Sequence, residues 1–66
     1  ARTAALSAAD EIAVERFLAG DIGFGDIVRL VSDVTGKAPA RDPDSVEEVF
    51  EIDRVARAQA RNWRRG

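Results

Sequence analysis

The sequence has sixty-six residues, a net charge of −2, no Cys and no His; this allows one domain at most and excludes disulfide staples and the commonest zinc sites. A chain near this size buries only about 60% of the surface it exposes when unfolded, so association or attachment to a larger protein is the remaining source of stability. The mild charge argues against nucleic acid as a partner of the whole chain, and no apolar run approaches the roughly 18 residues of a membrane span.

The absence of cysteine fits a cytoplasmic setting. The first residue, Ala1, is not Met, which leads us to expect a piece of a longer protein. Charge is segregated late in the chain. Asp42 to Asp53 hold six acidic residues, whereas Arg54 to Gly66 hold five arginines and no acid.

The spacing predicts an all-α protein, a small bundle of three to four helices near 7–19, 25–35, 46–52 and 54–64. Ser7 reads as the N-cap of the first helix, with Asp10 three residues on in a near-relative of the capping box. Leu6, Ala13 and Phe17 project to one side, which Val14 and Leu18 extend, and Gly20 is a natural left-handed stop. Asp10 falls on that apolar side, where the free amides of the first turn are expected to hold it as a polar plug.

The turn Gly20 to Asp26 carries three glycines, a composition also found in phosphate cradles. The dinucleotide pattern needs a preceding strand, and the Walker pattern needs Lys followed by Ser or Thr. Neither is present, so a helix-to-helix turn is expected, with Ile22 and Phe24 plugging it to the core. The second helix begins at Gly25 or Asp26 and ends before Gly36, burying Ile27, Leu30, Val31 and Val34. Both prolines then mark an extended connection.

Ser45 and Glu48 form a full capping box for the third helix, whose apolar side includes Val49. Asp53 suits the cap of a fourth, after a break near Ile52; one continuous helix from Val46 to Trp63 is the alternative. Trp63 belongs to the buried side of this last piece.

No constellation of these residues carries chemistry. Adjacent acids such as Asp10 and Glu11, or Glu47 and Glu48, point apart on a helix, and helix-start electrostatics accounts for them. Asp42, Asp44, Glu47 and Glu48 lack the spacing and glycine of a calcium loop. Lys37 sits in a polar connection rather than a desolvated pocket. The expected catalytic, cofactor-binding and metal-ligating residues are therefore none.

The run Leu6 to Ile27 resembles the C-terminal helical region of 1-deoxy-D-xylulose 5-phosphate reductoisomerase. That family shows L-N-A-A-N-E-[VI]-A-V-x-x-F-L, then G-x-I-x-F-x-D-I. Leu6, Ala8, Ala9, Glu11, Ile12, Ala13, Val14, Phe17, Leu18, Ile22, Phe24, Asp26 and Ile27 fit it. Asp53, Ala56 and Arg57 match the D-x-x-A-R of its closing segment. Ser7 and Asp10 depart from it, standing where the family usually has Asn, and the loop Gly36 to Arg41 is shorter.

The resemblance implies a parent enzyme converting 1-deoxy-D-xylulose 5-phosphate to 2-C-methyl-D-erythritol 4-phosphate in non-mevalonate isoprenoid synthesis. It implies NADPH, a divalent metal such as Mg²⁺ or Mn²⁺, and a homodimer in the parent. It also implies that the cofactor and catalytic domains lie outside this chain, whose role is to support them. A bundle helix preceding Leu6 would be missing too, leaving an apolar groove lined by Leu6, Phe17, Val31 and Trp63. Self-association of the fragment is the expected consequence. The alternative is a free-standing helical interaction module.

Overall fold

The computed structural model describes residues 2–39 and 42–64. Three helices run in sequence: α1 (Arg2–Leu18), α2 (Phe24–Lys37) and α3 (Val46–Asn62). Their order is up, down, up, so that α1 and α3 are parallel neighbours and α2 runs against both. No strand occurs among the described residues. The architecture is the all-α small bundle expected from the sequence, with three helices rather than four.

Alanine sets the packing. Ala5, Ala8, Ala9, Ile12 and Ala13 are buried along one side of α1, facing Leu30 and Val34 of α2 and Ile52, Ala56 and Ala60 of α3. Small side chains on facing helices let the backbones approach closely. Among the described residues six of the eleven buried apolar ones are alanines, so much of the core is built from small side chains.

This stripe corrects the expected core. Ala13 and Ile22 are buried, and Ile27, Val31 and Trp63 pack half-buried against the centre. Leu6, Phe17, Leu18, Phe24 and Val49 are exposed instead, Leu18 and Phe24 at 77% and 76%. The apolar side read for α1 is real but flanks the buried one, because α1 carries apolar residues over more than half its circumference.

The caps also differ. Because α1 begins at Arg2, Ser7 lies inside the helix and caps nothing. The run Ala4-Ala5-Leu6 carries strong helix formers ahead of Ser7. Asp10 is exposed in the middle of α1, away from the free amides of a first turn. Asp53 lies inside a continuous α3, its Oδ2 accepting from Arg57 Nε at 2.9 Å. Ile52, Ala56 and Ala60, spaced four apart, form one buried stripe across the expected break. Ser45 does cap α3, its hydroxyl accepting from the Glu48 amide at 3.2 Å, while Glu48 reaches the Asp44 amide. Gly36 lies within α2; the stop comes at Ala38, which the following Pro39 holds extended.

The α1–α2 turn is a Schellman motif. Asp21 N donates to Arg16 O and Gly20 N to Phe17 O, with Gly20 at φ 79°. Arg16 ties this turn to the far end of α3: its Nη1 donates to the carbonyls of Ala60 and Trp63, both at 2.8 Å, and its Nε to Asp21 Oδ2 at 2.6 Å. Ala60 O, in the last turn of α3, also accepts from Trp63 N at 3.4 Å, and the O of the C-cap Trp63 also accepts from Arg64 Nη1 at 3.2 Å, so Arg16 adds the shorter bond to each.

Two substitutions test this junction by urea unfolding. Gly20→Ala is expected to cost about 1 kcal/mol, the price of a Cβ in the left-handed region. Arg16→Met is expected to cost about 1–2 kcal/mol, because it removes two part-buried charge-assisted hydrogen bonds while each carbonyl keeps one longer donor.

Candidate functional site

Three surfaces offer a place for function. The first is an apolar strip on α1 and α2, on the face away from α3. Phe17 of α1 meets Phe24 of α2 edge to face, with ring centroids 5.8 Å apart. Leu6 is eleven residues from Phe17, about three helical turns, so both stand on one line along α1. Val28 and Val31 continue the strip along α2, one and two turns from Phe24. Leu6, Val14, Phe17, Phe24 and Val28 are all exposed.

The second surface is an open groove of about 580 Å³ between α2 and α3, with Asp33, Lys37, Val55, Gln59 and Trp63 among its walls. Trp63 Nε1 donates to Asp33 Oδ2 at 2.7 Å, pinning the end of α3 to α2. Trp63 thus sits on the opposite side of α2 from Val31 and does not line the strip expected to include it. The third is a hollow of about 400 Å³ beside Arg16, Asp21, Ile22, Arg61 and Arg64. Arg16 is already engaged there by Asp21 and the two carbonyls.

The titratable groups that the structure brings together hold helices. Arg57 Nη2 donates to Glu11 Oε2 at 3.1 Å and its Nε to Asp53, joining α3 to α1. That hydrogen bond, with the charge behind it, holds the Glu11 carboxyl below the usual carboxylate range and raises the Arg57 guanidinium. Asp26 is buried at the start of α2, where its Oδ2 accepts from Gly23 N at 2.9 Å. A carboxylate therefore occupies the place a phosphate would need at this glycine turn, and the turn does not fit a nucleotide. Among the described residues no group of three or more His, Cys, Asp or Glu is placed to hold a metal ion. Among them, too, no helix is long and apolar enough to cross a membrane.

Sequence reasoning missed the ties that Arg16 and Arg57 make, although Arg57 stands in the closing motif. Arg57 stands four residues after Asp53, a visible helix pair. No local pattern signals that Arg16 caps a helix 44 residues away.

Residues 1–59 match the family described as the DXP reductoisomerase C-terminal domain. The chain belongs to that family. It is 51% identical over 59 residues to the 1-deoxy-D-xylulose 5-phosphate reductoisomerase of Solibacter usitatus, covering 89% of this chain and 15% of the relative. It is 53% identical over 58 residues to the enzyme of the same name from Cupriavidus pinatubonensis, covering 88% of this chain and 15% of that relative. The chain thus spans about 15% of the length of these curated relatives. No solved structure matches it.

The Glu11–Arg57 bridge carries a pH signature within this family domain. A lowered carboxyl contributes stability that is full above the usual carboxylate range and is lost as pH falls through Glu11's own lower value. Urea midpoints measured from about pH 7 down to about pH 3 are expected to show the parent chain above Arg57→Gln at neutral pH. The gap should narrow on acidification; a gap independent of pH would contradict the bridge.

Proposed function

We propose that this chain serves as the helical C-terminal domain of an enzyme that converts 1-deoxy-D-xylulose 5-phosphate to 2-C-methyl-D-erythritol 4-phosphate. In this reading NADPH and a divalent metal ion bind to other parts of the enzyme. The domain itself braces those parts and has no active site. The observation that carries the reading is identity above 50% with curated reductoisomerases across nearly 90% of the chain.

The chemistry of the chain supports a bracing role. Arg16 holds a helix end, Asp26 a helix start, and Arg57 two helices together. The apolar strip of Leu6, Phe17 and Phe24 suits contact with the remaining domains, which account for most of the length of the relatives. Apolar surface of this kind is normally covered by a partner. The same strip also suits a free-standing helical interaction module, and the reading frame separates the two. A cytoplasmic setting follows from the proposed metabolic role.

The test is to express the whole encoding reading frame and follow NADPH absorbance with 1-deoxy-D-xylulose 5-phosphate and Mg²⁺. The full product is expected to oxidise NADPH only when the sugar phosphate is present, and the 66-residue chain alone to oxidise none. A full product without this activity, a start codon beside Ala1, or turnover by the 66-residue chain would each overturn the proposal.

A further inference from the structure

The bracing role leaves the basic end of α3 unexplained. The helix dipole favours a cation there, but Arg16 already supplies one, its Nη1 donating to the carbonyls of Ala60 and Trp63. Two more guanidiniums stand around the same hollow of about 400 Å³: Arg61 from the last turn of α3 and Arg64 from beyond it, both exposed. Arg61 makes no hydrogen bond or ion pair with a described residue. Glu11 lies near enough to feel its charge but accepts its hydrogen bond from Arg57. Arg64 uses only Nη1, on the carbonyls of Asn62 and Trp63 at 3.4 and 3.2 Å. Arg16 keeps its Nη2 without a partner among the described residues.

We infer that this hollow is a binding site for a phosphate group. Three arginines against one aspartate, Asp21, leave its walls at +2 on a chain whose net charge is −2. The groups that would repel an anion are already answered. Asp21 Oδ2 accepts from Arg16 Nε at 2.6 Å, and the last carbonyls of α3 accept from Arg16 Nη1. What remains is two guanidinium forks from different segments, with Arg16 between α1 and α3 behind them. A phosphate monoester near pH 7 carries about −1.5 to −2 and three acceptor oxygens, enough for both forks. A carboxylate has one charge and two oxygens, enough for one. The volume lies within the roughly 300–1,000 Å³ of small-molecule sites, with room for the group that carries the phosphate. The inference rests on these arginines and stands whether or not the reductoisomerase reading holds.

An NMR titration of the 66-residue chain with inorganic phosphate at about pH 7, at ionic strength held constant with sodium chloride, tests it. The signals of Arg61, Arg64 and the α1–α2 turn are expected to move and to saturate at millimolar phosphate. Arg61→Gln and Arg64→Gln, each checked as folded by its amide spectrum, should weaken binding at least about fivefold. Lys37→Gln, outside the hollow, should leave it unchanged. Acetate should bind more weakly than phosphate. Glycerol 3-phosphate separates the sources: tighter binding than inorganic phosphate assigns an organic phosphate, equal or weaker binding the free ion, and either supports the site. Shifts no larger than those with chloride, acetate binding as tight as phosphate, full binding by both glutamine variants, or an equal loss with Lys37→Gln would each overturn it.

Discussion

The close approach of α1 to both of its neighbours is the constraint on which the rest of the molecule depends. Ala5, Ala8, Ala9 and Ala13 present almost no side-chain bulk toward α2 and α3, and Ala56 and Ala60 answer from α3. Backbone-close packing places many atoms in contact, but each alanine removes little apolar area from water. Among the described residues only Ile12, Leu30 and Val34 are large and fully buried. So modest a core leaves room for polar ties to matter, and they occur where the helices end. Arg16 closes the last turn of α3, Trp63 reaches Asp33 of α2, and Arg57 bridges α3 to Glu11.

The same choice explains the surface. Because the narrow side of α1 faces inward, the broad residues Leu6, Val14, Phe17 and Leu18 remain outside. Such a strip suits the contact with further protein that the proposed role calls for. The polar groups follow the architecture as well. Asp26 satisfies the start of α2, and Ser45 and Glu48 satisfy the start of α3 and the connection before it. Charge in this domain is organised by helix ends and helix contacts.

Much of the fold was legible in the sequence. Gly20 marks a stop because only a left-handed residue completes the Schellman turn, and Ser45 marks a start because its hydroxyl meets a free amide. The family motif, read from Leu6 to Ile27, led to the family that the comparison gives. The buried side of α1 was not legible. Size favours Leu6 and Phe17 as core, and a helix apolar over most of its circumference does not say which side meets its neighbours. The break read at Asp53 failed for a related reason. A residue that can cap a helix can also pair with an arginine four positions on, and the burial of Ile52, Ala56 and Ala60 decided between them. Arg16 was invisible because its partners lie at the other end of the chain.

The central claim is that small residues, not large ones, hold this bundle. A paired urea titration of Ala9→Leu and Leu18→Ala tests it directly. Ala9 is fully buried and Leu18 is 77% exposed, so enlarging the first should cost about 1–3 kcal/mol through overpacking. Truncating the second should change stability by no more than about 0.5 kcal/mol. The opposite ranking, with Leu18→Ala the damaging change and Ala9→Leu tolerated, would contradict the account.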